Sequence, residues 1–381
     1  MTVISNVMDN SSAFWVVNSL FVFALSVFCA GVLIPQILLI SFRKRLFDVP
    51  DERKIHQGVV PRLGGIAFKP VVFFSVALAL GLNMLLGYGQ LLGNIGSESR
   101  PLAFGFCTIM MLYLVGMADD LIGIRYRAKF AIQIICGLLV IAGGLWINNL
   151  HGLLFIHALP EWIGYPITLF AVVFIINAIN LIDGIDGLAS GLCGVAMLFY
   201  GLVFFIIGEY IYALLAFATL GVLVPFFYYN VFGDPAKKNK IFMGDTGSLT
   251  IGMMTCILSL KLLNGFPVNP SMQQPNAFFL AYSPLIIPCF DVVRVYLHRV
   301  RNGKNPFLPD KNHIHHKMLA VGMRQRTVMI AIVLVSVCFT LCNILLSRYI
   351  NVTLLLILDI FIWTLGNLWL TRRIHIAHSK L

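Results

Sequence analysis

The chain has 381 residues, of which 59% are hydrophobic and only 11% charged, with a formal net charge of +11. A soluble domain of this length carries about 25% charged residues, so this composition, with a mean hydropathy of +0.90, excludes a soluble globular protein. It implies an all-α, polytopic membrane helical bundle, folded as a single integral-membrane domain over residues 1–381. The bases sit between apolar runs, which argues against a nucleic-acid partner and for the anionic headgroups of a lipid bilayer.

About 20 apolar residues cross a bilayer as a helix. Runs of that size fall near 14–41, 64–87, 101–118, 128–147, 162–180, 189–207, 210–232, 246–263, 276–297, 326–347 and 352–371, predicting about eleven transmembrane helices. The first run follows Asp9 and lacks a basic flank and a small-residue cleavage site, so it reads as a retained span. Loops 42–62, 119–127, 233–245 and 298–325, the start of span four and the C-terminal tail hold nearly all the Lys and Arg. The opposite loops hold Arg100 and Arg348. By the positive-inside rule the N-terminus is periplasmic and the C-terminus cytoplasmic. All eight cysteines lie in apolar segments with no CxxC spacing, as small hydrophobes do.

The chemistry-bearing residues fall on the predicted cytoplasmic side, in loops near 42–62, 119–127, 181–188, 233–245 and 298–325. The first loop contains Asp48, Asp51, Glu52, Arg53, Lys54 and His56, then Pro61-Arg62-Leu63-Gly64-Gly65. It reads as an anion-binding lip, with Gly64-Gly65 opening a helix whose first amides favour negative charge, or as a solvated basic loop. Lys69, one turn on, is expected to snorkel to the membrane edge. Asp119-Asp120 follows span three; adjacent carboxylates repel and need water or a cation. Arg125, Arg127 and Lys129 stand close behind.

Asn177-Ala-Ile-Asn180-Leu-Ile-Asp183-Gly-Ile-Asp186-Gly187-Leu188 places amides and acids at every third residue, with glycines after both acids. Neighbours at i and i+3 share one helix face, and carboxylates at the mouth of a membrane helix are costly unless paired or bound to a cation. Met243-Gly244-Asp245-Thr246-Gly247-Ser248 opens span eight, where Asp245 is either an N-cap or a metal carboxylate at a glycine-flanked turn. Asp291 and Arg294 lie one turn apart and are expected to pair. The longest polar loop ends in His313-Ile314-His315-His316-Lys317. Without Cys or His partners at finger-like spacing, these rings suit phosphate binding or proton handling better than zinc. Asp359 is isolated inside span eleven and would face the bundle interior.

Five carboxylates, Asp119, Asp120, Asp183, Asp186 and Asp245, thus meet the bilayer inside a rim of Arg, Lys and His. Magnesium uses one or two carboxylates plus substrate phosphate oxygens, so the pattern reads as magnesium-dependent phosphoryl transfer between a soluble nucleotide and a membrane lipid.

Five pieces then carry a resemblance: Pro61-Arg-Leu-Gly-Gly65, Ala118-Asp-Asp120, Asn177 to Leu188, Phe242-Met-Gly-Asp-Thr-Gly-Ser248 and Asn305-Pro-Phe-Leu-Pro-Asp-Lys-Asn-His-Ile-His-His316. In this order they resemble the polyprenyl-phosphate N-acetylhexosamine-1-phosphate transferase family. The resemblance implies an eleven-helix fold in a bacterial inner membrane. It also implies that a UDP-N-acetylhexosamine and undecaprenyl phosphate give undecaprenyl-diphospho-sugar and UMP. The interrupted His-Ile-His-His form resembles the branch that starts O-antigen and related chains and favours UDP-N-acetylglucosamine. The alternative branch transfers phospho-N-acetylmuramoyl-pentapeptide, and the alternative class is a proton-coupled transporter.

Implied roles are metal binding by Asp245 with Asp183 or Asp119, and action of Asp120 on the lipid phosphate. Asn177, Asn180 and Asp186 would shape the nucleotide side, and Lys129, Arg301, His313, His315 and His316 would bind phosphates. Magnesium is the implied cofactor, with manganese as a substitute. Assembly as a homodimer is compatible with this reading.

Overall fold

A computed structural model describes residues 2–46, 59–89, 95–265, 276–305 and 312–378. Among them the chain forms helices, short 3-10 turns and one isolated bridge between Asn149 and Ala158. The helices are α1 (Thr2–Lys44), α2 (Phe68–Leu85), α3 (Ile95–Ile122), α4 (Tyr126–Ala142), α5 (Glu161–Ile182), α6 (Leu188–Ile206), α7 (Tyr210–Val231), α8 (Gly244–Gly265), α9 (Ala277–Tyr282), α10 (Ile286–Arg301), α11 (Ile314–Ala320), α12 (Gln325–Leu346) and α13 (Val352–His378).

The protein is a multi-pass membrane bundle. Among the described residues ten segments are long and apolar enough to cross a bilayer, one fewer than the eleven predicted. The difference is the fourth run. Gly143 and Gly144 follow its last turn, Gly144 with φ of 91°, so α4 stops at 17 residues, about 25 Å. The run 276–297 is not one continuous helix. Pro284 and Pro288 each lack an N–H, and the segment divides into α9, a 3-10 turn at Ser283–Leu285, and α10.

Helix α8 is the axis of the bundle. Its sequence carries Gly247, Ser248, Thr250, Gly252 and Thr255, and small residues let membrane helices approach closely. Thr250 and Thr255 return their hydroxyls to the carbonyls of Thr246 and Ile251, so they present no unmet donor to the apolar interior. Every residue from Thr246 to Leu263 is buried, chiefly against α3, α5 and α9. Helices α1 and α13 lie at the periphery, with large apolar side chains facing outward.

Contacts sort the helix ends into two sets. Lys129, Asp119, Asn180 and Asp245 meet at one end. Glu98, Glu209, Tyr212 and Lys261 meet at the other. Trp15 of α1 stacks on Tyr210 at the far end, whereas Thr371 near the close of α13 accepts from Lys317 beside the histidines. The first and last helices therefore begin together at the far end and finish at the site end.

Candidate active site

The acidic motifs meet at the first turn of α8. Gly244 has φ of 70°, and a Cβ there would lie 2.0 Å from the Arg62 carbonyl and 2.5 Å from the Asp120 carboxylate, so only glycine makes this turn. The first N–H groups of a helix lack intrahelical partners. Here Asp120 of α3 supplies them: its carboxylate accepts from the amides of Asp245 and Thr246, both at 2.8 Å, and from the Thr246 hydroxyl at 2.5 Å. The N-cap reading of Asp245 is thereby replaced. Asp120 caps α8 from a neighbouring helix and leaves the Asp245 carboxylate to face the site.

Asp245 accepts from Lys129 Nζ at 2.7 Å and from Asn180 Nδ2 at 3.3 Å. The same ammonium reaches Asp119 at 3.0 Å, and the other oxygen of Asp119 accepts from the Ile124 amide at 2.7 Å. Asn180 also donates to Ser248 Oγ at 2.7 Å. One turn earlier, Asn177 donates to Gln133 Oε1 at 2.6 Å. The two amides three residues apart therefore do different work: Asn180 orients Asp245, whereas Asn177 joins α5 to α4.

Asp183 ends α5 and begins the turn that leads into α6 at Leu188. Gly187 closes it with φ of 76°, its amide held by Asn230 Oδ1 at 2.6 Å, and Lys240 pairs with Asp186 at 2.6 Å. Among the described residues no hydrogen bond or ion pair engages the Asp183 carboxylate. Enclosure by the surrounding helix ends, then the charges of Asp245 and Asp186, push its carboxyl up to about 7. Its surface nevertheless opens to solvent.

The histidine segment packs on this turn. The ring of His315 lies where a Cβ on Gly184 would stand, 2.2 Å away. His313 Nδ1 and the Ile314 amide both bond the buried Asp291, at 2.8 and 2.9 Å, and Arg294 pairs with the same carboxylate at 2.8 Å as expected. Burial, then the neighbouring His316, push the His315 ring down to about 3, so it is neutral at physiological pH. His316 is half-buried, its ring tilted against that of His315 with centroids 4.2 Å apart. Arg301 stands exposed on the last turn of α10, with no ion pair to the acidic group among the described residues. Asp48, Asp51, Glu52, Arg53, Lys54, His56 and residues 306–311 lie outside the described residues.

The Gly64-Gly65 lip differs from its reading as an anion site. Its two amides donate to the carbonyls of Phe242 and Met243 at 3.0 and 2.9 Å. A Cβ on Gly65 would stand 2.0 Å from the Gly247 nitrogen. The segment is a floor laid against α8, and its donors are already used. Among the described residues no three His, Cys, Asp or Glu side chains form a ready-made metal cage. The donor set fits a cation shared with substrate: the Asp183 carboxylate, which bonds to none of the described residues, is crowded by Asp245, Asp186 and Asp120.

Residues 102–263 match the glycosyl transferase family 4 profile. An undecaprenyl-phosphate alpha-N-acetylglucosaminyl 1-phosphate transferase of Yersinia pestis is 30% identical over 319 residues, covering 81% of this chain and 79% of its own. The chain belongs to glycosyl transferase family 4. The family membership bears out the resemblance carried by the five motifs. A probable undecaprenyl-phosphate N-acetylglucosaminyl 1-phosphate transferase of Bacillus subtilis is 30% identical over 347 residues, 89% of this chain and 88% of its own. The corresponding alpha-N-acetylglucosaminyl enzyme of Escherichia coli K12 is 31% identical over 300 residues, 76% and 74% respectively.

Four further residues help to position the site: Gln133, Asn230, Lys240 and Asp291. Gln133 is a polar residue inside an apolar run, a signal visible in the sequence. Asn230 closes α7 and also donates to the Ile241 carbonyl at 2.9 Å, tying two loops that only the fold brings together. Lys240 lies in a basic loop, and its partner Asp186 is 54 residues away. Asp291 pairs locally with Arg294 and also seats His313 from 22 residues away.

Proposed function

We propose that the chain transfers N-acetylglucosamine 1-phosphate from UDP-N-acetylglucosamine to undecaprenyl phosphate, giving undecaprenyl-diphospho-N-acetylglucosamine and UMP. The observation that carries this reading is the meeting of Asp119, Asp120, Asp183 and Asp245 at one end of a membrane bundle, with Asp119 and Asp245 bridged by the ammonium of Lys129. The names of the relatives support it. The Lys and Arg excess of the loops at the site end supports a cytoplasmic mouth in a bacterial inner membrane. The reaction would open a cell-surface polysaccharide.

Asp183 and Asp245 would hold magnesium, with Asp119 beside them. When bound, the ion polarises the donor diphosphate and offsets the charge that gathers on departing UMP. Lys129 presents a second positive charge to the same phosphates. Asp120 holds the start of α8 and fixes where Asp245 points. A phosphate monoester is largely ionised at neutral pH, so the acceptor oxygen needs no strong base. It bonds to the sugar-bearing phosphorus while the bond from that phosphorus to the UMP oxygen breaks. Asn180 keeps Asp245 in orientation, and the His313–His316 segment packs over Asp183 as the wall on the phosphate side.

The test is release of UMP from UDP-N-acetylglucosamine by purified protein, with the lipid product identified by mass. Release that requires undecaprenyl phosphate and magnesium is the expected result. Preference for UDP-N-acetylmuramoyl-pentapeptide in the same assay would move the chain to the peptidoglycan branch, and no release from any UDP-sugar would overturn the reading.

A further inference from the structure

The acids of the site are served unequally by its bases. Lys129 bonds Asp119 and Asp245 directly, at 3.0 and 2.7 Å, and Lys240, itself buried, bonds Asp186 at 2.6 Å. The Asp183 carboxylate bonds to none of the described residues. Burial, then Asp245 and Asp186, push it up, and the Arg62 guanidinium pulls it back through space.

Arg62 owes its place to the floor under α8. The Phe242 amide donates to the Pro61 carbonyl at 2.9 Å, and the Gly64 amide donates to the Phe242 carbonyl at 3.0 Å. These bonds clamp the backbone on both sides of Arg62, and its own carbonyl lies against Gly244, the residue before Asp245. Pro61 and Leu63 are buried while Arg62 is exposed, so its side chain leaves the floor toward solvent. A fixed backbone thus carries a solvated guanidinium beside Asp183 and Asp245, the two carboxylates that would hold the metal. A guanidinium and a divalent ion repel each other over one carboxylate. The planar fork of an arginine also matches a pair of phosphate oxygens. The Gly64 and Gly65 amides are spent within the floor, so the Arg62 side chain is the part of the Pro61–Gly65 lip that can meet an anion.

We propose that Arg62 exchanges partners as ligands bind: its guanidinium offsets Asp183 in the metal-free protein and turns to the donor diphosphate in the metal-loaded one. The inference rests on the reading of Asp183 and Asp245 as metal carboxylates. It gives Arg62 opposite effects on two ligands. As a cation beside the metal it weakens binding of the free ion, and as a phosphate partner it strengthens binding of the nucleotide. Loss of a residue that only supported the floor would weaken both.

The experiment compares full-length wild type, R62Q and R62K in detergent. Manganese alone is titrated and read by electron paramagnetic resonance. UDP and uridine are then titrated by calorimetry at saturating manganese. R62Q should bind manganese about threefold more tightly than wild type, because a neighbouring positive charge is gone. It should bind UDP about tenfold more weakly, the scale of one charge-assisted hydrogen bond, with uridine unchanged. R62K should keep the manganese affinity of wild type and recover part of the UDP binding. Unchanged or weaker manganese binding in R62Q, or equal changes for UDP and uridine, would overturn the proposal and leave the metal reading standing. No manganese binding by wild type would overturn that reading and the proposal with it.

Discussion

Helix α8 carries a lysine bridge at each end, and both bridges join it to α3. At the site end Lys129 spans Asp119 and Asp245 at 3.0 and 2.7 Å. At the far end Lys261 spans Glu98 and Glu209 at 2.8 and 3.3 Å, with its ammonium 4.8 Å from the Tyr212 ring centre. The formula is the same, two carboxylates and one lysine, yet the surroundings differ. Tyr212 donates to Glu98 at 2.7 Å and completes the far cluster with protein groups alone. Three further carboxylates crowd the site end, and Asp183 among them bonds to none of the described residues. Each carboxylate of the far cluster is bonded by protein groups, whereas the site end keeps one that bonds to none of the described residues.

The most severe test of this contrast is Asp245→Asn. It should lower UMP release by about a thousandfold, the scale of losing a main electrostatic contact to the transition state, while the melting temperature changes little. Lys129→Met should cost about a hundredfold in turnover by leaving Asp119 and Asp245 to repel each other. A K129M enzyme of normal activity would place Lys129 in the same structural class as Lys261. Asp183 gives the contrast a pH signature. Its carboxyl stands near 7, so it is neutral below that pH and ionised above it. Manganese binding, read by electron paramagnetic resonance, should tighten as pH rises through about 7, and Asp183→Asn should flatten the curve. The raised carboxyl also means that, in chelator, thermal stability falls as pH climbs from about 4 toward 7.

Smaller effects sharpen the comparison from the structural side. Gly65→Ala drives a methyl into the Gly247 backbone and should cost about 2 kcal/mol of stability, with activity falling because the floor under Asp245 moves. Lys261→Met should cost about 1–2 kcal/mol, between the values of exposed and buried pairs. Its turnover should stay within about twofold of wild type, measured in the same UMP assay beside a thermal melt. Equal losses of activity in K261M and K129M would end the distinction between the two ends.

Much of the site was legible because membrane proteins disperse polar residues so sparingly. Asp119, Asp120, Asp183, Asp186 and Asp245 were nominated because acids at span ends need a partner, and four of the five do have one. Their division of labour was not legible. Asp120 and Asp119 are neighbours in sequence, yet one caps a helix 125 residues away and the other shares a lysine with Asp245. The His313–His316 run reads as three equivalent rings, whereas the fold seats His313 on Asp291, buries His315 against Gly184 and leaves His316 half-buried.

Hydropathy and charge bias fixed the class of molecule, the order of its spans and the set of loops that share one end, because each depends on a local sum along the chain. The length of α4, the break at Ser283–Leu285 and the pairing of Lys129 with Asp245 depend on which surfaces meet in three dimensions. Small residues along α8 allowed that meeting, and the contacts it created across more than a hundred residues decided which carboxylates hold the scaffold and which one stays available.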